Sequence, residues 1–167
     1  MRRPTTFLLC AVLLAGTVMG APDDEPEARK TALSLAGAFS NDGFKIRDGN
    51  WTGPIHPKDN LLIQVHLYAG NQYWFCAGAS RRAKQLSVSV FDETGALMQT
   101  QPYQSEILKD ALPAGDAAKG NSSTKSDSDE GPKAAAGFAP AVSGPYYVRI
   151  QETDGEAATF CFIYSYK

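Results

Sequence analysis

The stretch LLIQVHLYAGNQYWFCAG spans Leu61 to Gly78. Leu61, Ile63, Val65 and Leu67 occupy every second position, with Leu62, Gln64, His66 and Tyr68 between them. A period of two sends alternate side chains to opposite sides of an extended chain, so this is a strand with one apolar face. Ala69 to Gln72 supply a turn. Tyr73, Phe75 and Ala77 then alternate with Trp74 and Cys76, which reads as the second strand of a hairpin.

The same rhythm recurs to either side. In LSVSVFD, Leu86, Val88 and Val90 face one way while Ser87 and Ser89 face the other. Tyr146, Val148 and Ile150 alternate with Tyr147, Arg149 and Gln151. In ATFCFIYSYK, Phe160, Phe162, Tyr164 and Tyr166 share one side and Cys161, Ile163 and Ser165 the other. Turn-forming clusters separate these runs, and no convincing long helical pattern interrupts them. About seven to nine short strands at regular spacing predict an all-β domain, an antiparallel β-sandwich.

The N-terminus has a different composition. Arg2 and Arg3 precede an apolar run from Phe7 to Leu14, and small residues follow to Gly20. This is the anatomy of a Sec-type signal peptide over residues 1–20, and it places the protein in the periplasm or outside the cell. The apolar core is well short of the ~20 residues that span a bilayer. No membrane span is expected after signal removal. Residues 21–40, acidic and proline-containing at their start, read as a flexible leader with at most a short helical turn near Ala28 to Leu35. The β-sandwich domain then covers residues 41–167. Within it, residues 109–133 contain no aromatic residue and one large aliphatic, Leu112. Such a composition buries too little apolar surface to offset the entropy of ordering, and predicts a long flexible insertion.

The formal net charge is −2. Loss of the signal removes two arginines and no acid, so the remaining chain is more acidic still. With no basic stripe it has no electrostatic reason to seek nucleic acid.

Chemistry-bearing motifs are sparse. His56 and His66 are the two histidines, and neither lies in a catalytic pattern. There is no G-x-S-x-G elbow, G-x-G-x-x-G loop, phosphate-binding loop or H-E-x-x-H helix. Two cysteines and two histidines without paired spacing do not make a zinc site. The acidic Asp127–Glu130 run has Gly131 where a calcium loop needs a ligand. The expectation is a non-catalytic protein with no metal and no cofactor.

Cys76 and Cys161 remain after signal removal, an even number in an oxidising compartment. Each follows a phenylalanine and lies opposite the apolar set of its strand. Two readings stand: a disulfide between neighbouring strands, which we expect, or two free thiols. Trp51 in a glycine-rich loop, Trp74 and Tyr147 on the alternate sides of their strands are the candidate binding aromatics. Set against that is the plainer reading, in which they pack under loops or against the leader.

Three segments carry a resemblance. LSVSVFDETG (Leu86 to Gly95), SGPYYVRI (Ser143 to Ile150) and LYAGNQYWF (Leu67 to Phe75) resemble strand-turn hallmarks of the bacterial pre-peptidase C-terminal (PPC) domain family. The resemblance covers roughly residues 55–167. It implies a jelly-roll-like sandwich on secreted proteins, itself non-catalytic, with some members binding matrix polymers or calcium. Ser87 and Ser89 stand where the family strand often carries acids. The resulting expectation is a secreted or periplasmic accessory, structural or protein-interaction module. The alternative is a carbohydrate- or polymer-binding module using Trp51, Trp74 and Tyr147. The partner would be a protein or polysaccharide of the cell envelope.

Overall fold

The computed structural model describes residues 24–103 and 130–167. The signal segment and most of the 109–133 insertion lie outside the described residues. The chain forms an antiparallel β-sandwich. Helix α1 (Asp24–Ala38) is followed by β1 (Lys45–Ile46), β2 (Trp51–Ile55), β3 (Asn60–Leu67), β4 (Tyr73–Ala79) and β5 (Ala83–Phe91). Then come β6 (Gln101–Pro102), β7 (Lys133–Phe138), β8 (Gly144–Gly155) and β9 (Ala158–Tyr166). One sheet has the order β1-β9-β4-β7-β6, with β2 also paired to β9. The other has three strands in the order β3-β8-β5.

Register explains why the period-two patterns hold. Ile63 faces Val148 and Val65 faces Tyr146 across β3 and β8. Val88 faces Ile150 and Val90 faces Val148 across β5 and β8. In the other sheet Phe75 pairs with Tyr164 and Ala77 with Phe162. Each apolar set therefore meets an apolar set, and the two inner faces close on one buried core. Tyr73, Phe75, Phe162 and Tyr164 form its aromatic centre, with Phe75 and Phe162 ring centroids 6.2 Å apart.

The sequence reading needs three corrections. The Leu61–Gly78 stretch is not a hairpin: β3 and β4 belong to opposite sheets. In separate sheets the two apolar sets face one another through the core; a hairpin would set them side by side. The crossing is held by Tyr73, whose Oη accepts hydrogen bonds from the Tyr68 backbone N–H (2.9 Å) and from Asn71 Nδ2 (3.2 Å).

The leader is the second correction. Asp24–Ala38 is a 15-residue helix. It buries Ala28, Ala32, Leu35 and Ala36 on the outer face of the larger sheet, against Cys76, Cys161 and Ile163. Asp24, Glu25 and Glu27 in its first turn suit the positive end of the helix dipole. Two of these acids reach the β4–β5 turn, where Glu27 pairs with Arg81 at 2.6 Å and Asp24 with Arg82 at 3.7 Å. The buried stripe is mostly alanine, so hydrophobic periodicity is faint, and the partner surface that makes alanine sufficient lies 40 residues or more along the chain.

The third correction concerns the C-terminal end of the insertion. Residues 131–133 belong to the ordered core. The Pro132 carbonyl accepts from the Ala79 N–H at 3.0 Å, and β7 begins at Lys133.

Gly78 lets α1 approach. A Cβ there would lie 2.6 Å from the Ala32 backbone nitrogen and 3.0 Å from the Ala28 carbonyl oxygen. Both obstacles are helix backbone, which cannot rotate away. Gly78→Ala therefore pushes the helix off the sheet at a cost of about 1–3 kcal/mol. Thermal denaturation of Gly78→Ala against wild type measures this; an unchanged midpoint excludes the tight contact.

Candidate binding surfaces

The sandwich is asymmetric. The outer face of the larger sheet lies beneath α1. The outer face of the three-stranded sheet has no element over it among the described residues, and it carries the side chains that alternate with the core.

Register builds that open face in rows. Gln64, Tyr147 and Phe91 form one row across β3, β8 and β5; Leu62, Arg149 and Ser89 form the next. Leu62 is 62% exposed, high for a large aliphatic side chain on a strand. The Arg149 guanidinium lies over the Phe91 ring, 4.9 Å from its centroid. Its Nε is buried with no hydrogen-bond partner. The β5–β6 turn borders a groove of about 610 Å³ lined by Leu62, Phe91, Tyr147 and Arg149, with Asp92 and Thr94 at its rim.

Asp92 is not a free acid in this groove. Its Oδ1 accepts from the Thr94 N–H (2.9 Å), the Thr94 hydroxyl (2.7 Å) and the Ala96 N–H (2.9 Å). These bonds, the Thr94 hydroxyl foremost, hold its carboxyl below the usual aspartate range. This is an Asx turn whose Gly95 takes φ 82°.

The three candidate aromatics do not share a surface. Trp74 lies on the helix side of the larger sheet. Its ring stacks on Phe39 at 4.1 Å with a 12° interplanar angle, and it packs over Gly137, directly opposite in β7. A Cβ at Gly137 would come within 3.0 Å of the indole. The plainer reading, packing against the leader, describes Trp74. Tyr147 lies on the open face of the opposite sheet. Trp51 lies at a third place, the edge where β2 meets β9, tilted against Phe162 (5.4 Å) and stacked near Tyr164 (6.1 Å, 23°). It borders a cleft of about 540 Å³ that includes Arg47, Gln64, His66 and Tyr68.

The sequence does not single out Arg149, although its position beside Tyr147 is legible there. The missing signal was the neighbour across the sheet. An arginine on a strand exterior is ordinary until Phe91 is placed under it.

The histidines are dispersed. His56 Nδ1 lies 3.0 Å from Asp59 Oδ2, with both side chains largely exposed. His66 meets Tyr68 edge-on at 5.2 Å. His66 and Asp92 line different clefts. Among the described residues no group of three or more His, Cys, Asp or Glu is placed to hold a metal.

The expected disulfide is not present: Cys76 and Cys161 are free and buried. The shared parity is real, because both cysteines point to the helix side of adjacent strands. Their register is offset, with Cys76 opposite Ile163 and Cys161 opposite Gly78. Diagonal positions on neighbouring strands stand about 7–8 Å apart, whereas a disulfide needs Cβ atoms about 3.5–4.5 Å apart. Burial pushes both thiols above the ordinary range, Cys76 far above it. A thiol held protonated beneath a helix is a poor nucleophile.

Glu152 is the anomalous buried group. It lies on the core side of β8, fully buried, and neither carboxylate oxygen has a hydrogen-bond partner. Desolvation, reinforced by Asp154 and Asp59 and opposed by His56, pushes its pKa up to about 7.

Comparison with known proteins adds little. No family model matches the chain, and no curated protein matches it. Among solved structures, a periplasmic inhibitor of g-type lysozyme from Aeromonas hydrophila, PliG, is similar over 71% of this chain and 85% of its own, with 18% identity and a TM-score of 0.40. A likeness that distant carries no argument about activity or partner. Among the described residues no helix is long and apolar enough to cross a membrane.

Two measurements follow. Cys76 and Cys161 stay unreactive toward maleimide in the native protein and are both alkylated after denaturation without reductant; a requirement for reductant would reveal a bond. For Glu152 the folded pKa exceeds that of the unfolded chain, so its protonated form favours folding. Stability falls as pH rises from about 4.5 toward about 7. Glu152→Gln therefore raises the melting temperature at pH 8 and changes it much less at pH 4. Equal shifts at the two pH values would exclude titration as the cause.

Proposed function

We propose that this protein is a non-catalytic binding module of the cell envelope. It acts by docking a protein partner on the open face of its three-stranded sheet. One observation carries the reading: the two outer faces of the sandwich are treated oppositely. One is roofed by a helix, and the other presents Leu62, Tyr147, Phe91 and Arg149 in adjacent rows. An exposed leucine beside a tyrosine and a stacked arginine has the composition of an interface centre, where aromatic residues and arginine dominate. The apolar bodies supply burial, and the guanidinium supplies donors that a partner's carboxylate or carbonyl would satisfy.

The secreted or periplasmic location is part of this proposal and rests on residues 1–20. The resemblance of Leu86–Gly95 and Ser143–Ile150 to PPC domains supports it. Saccharide binding by Trp51, Trp74 and Tyr147 acting together finds no support, because the three lie on separate surfaces.

Tagged protein incubated with a cell-envelope extract tests the docking face. The partner held by wild type is expected to be held equally by Leu33→Asp, whose side chain is exposed on α1. It is expected to be lost with Leu62→Asp and weakened about tenfold or more by Tyr147→Ala. Undiminished capture by Leu62→Asp, with circular dichroism showing a native fold, overturns this reading.

A further inference from the structure

The cleft beside Trp51 lies further along β3 from the open-face groove and has a different chemistry. It opens where the β1 and β2 edge of the larger sheet meets the β3 edge of the smaller one. Trp51 forms one wall and is partly exposed. Tyr68 (58% exposed) and Tyr166 (38% exposed) stand at its rim. Arg47 lies over the Tyr164 ring at 5.3 Å and donates its backbone N–H to the Tyr164 carbonyl at 3.0 Å. That backbone bond fixes the base of the side chain, while the guanidinium forms no hydrogen bond or ion pair among the described residues.

Two features of the lining decide what fits. The first is charge. In a chain of formal net charge −2, this cleft holds the Arg47 guanidinium and no acidic side chain. An anionic group is attracted here without a competing carboxylate. The second is the ratio of flat apolar surface to neutral hydrogen-bonding groups. The Trp51 face and the tyrosine rings offer stacking surface, while Gln64, Asn71 and the Tyr68 and Tyr166 phenols offer donors and acceptors. Asn71 spends one amide N–H on Tyr73 Oη, leaving the other to donate and its carbonyl oxygen to accept. A linear peptide presents a regular backbone ladder and few hydroxyls. A sugar ring presents an apolar face bordered by hydroxyl groups, which is the complement of this lining.

We propose that the Trp51 cleft is a binding site for an acidic saccharide. One ring stacks on Trp51, its carboxylate pairs with Arg47, and its hydroxyls are met by Gln64, Asn71 and the rim phenols. The cleft borders the open face at Gln64, but its lining shares no residue with the groove of Leu62, Phe91, Tyr147 and Arg149, so either can be occupied alone.

Calorimetric titration of the full-length protein with a short oligouronate, a neutral oligoglucan and poly-glutamate tests the assignment. The oligouronate is expected to bind more tightly than either comparison ligand, and added salt is expected to weaken it. Arg47→Gln removes about tenfold of affinity for the oligouronate and leaves the neutral oligoglucan unaffected. Trp51→Ala weakens both saccharides. Since Trp51 also touches the core, Tyr68→Ala, a change at an exposed residue, serves as the second variant and weakens the oligouronate without lowering the melting temperature. Tyr147→Ala leaves saccharide binding intact even where it breaks protein capture. Four results overturn the proposal: no binding of the oligouronate, equal binding of the neutral oligoglucan, tighter binding of poly-glutamate, or full affinity in both Arg47→Gln and Tyr68→Ala.

Discussion

Strand β9 has almost no solvent face, and the rest of the architecture answers to that. Phe160, Phe162 and Tyr164 point into the sandwich; Cys161, Ile163 and Ser165 point the other way and are also buried. A strand apolar on both sides requires cover on both sides. The three-stranded sheet supplies one cover. Helix α1 supplies the other, and its alanine stripe fits because Gly78 in the neighbouring strand removes the side chain that would hold it away. Lose that contact and Cys76, Cys161, Ile163 and Trp74 face water.

The same constraint places the functional surfaces. With the larger sheet sealed, the aromatic residues on its outer side serve packing; Trp74 is held between Phe39 and Gly137. The outer face of the three-stranded sheet carries no second apolar layer of that kind. It keeps serines, glutamines and Arg149 beside isolated large side chains, and stays open. The edge between the sheets, where β2 and β3 diverge, leaves the Trp51 cleft. Binding capacity thus falls on the sheet that α1 does not cover and on the seam beside it.

Local electrostatics follow burial more than charge count. The Asp92 carboxylate, although exposed, is committed to its own turn. The Glu152 carboxyl, the sole acid among the fully buried side chains of the described residues, lacks a hydrogen-bond partner and is driven toward its neutral form. The two groups load stability in opposite directions with pH: Asp92 favours the fold when ionised and Glu152 when protonated. Neither behaviour is visible in a sequence, because the Asx geometry and the missing partner are both properties of assembled neighbours.

Alternation in the sequence determined which side chains of β3, β4, β5, β8 and β9 face the core, and so the sandwich class. The Asp92–Gly95 turn and the common parity of Cys76 and Cys161 were equally legible, since both follow from spacing within a few residues. Tertiary structure alone decided which strands are neighbours. Pairing joins residues far apart in the chain, and alternation reads the same whether the partner is the next strand or the fifth. That is why Leu61–Gly78 crosses between sheets without forming a hairpin, and why two cysteines of equal parity stand diagonal and unbonded. It is also why an alanine-rich leader becomes a docked helix, and why Arg149 acquires Phe91 beneath it: in each case the deciding partner comes from a distant segment brought close by the fold.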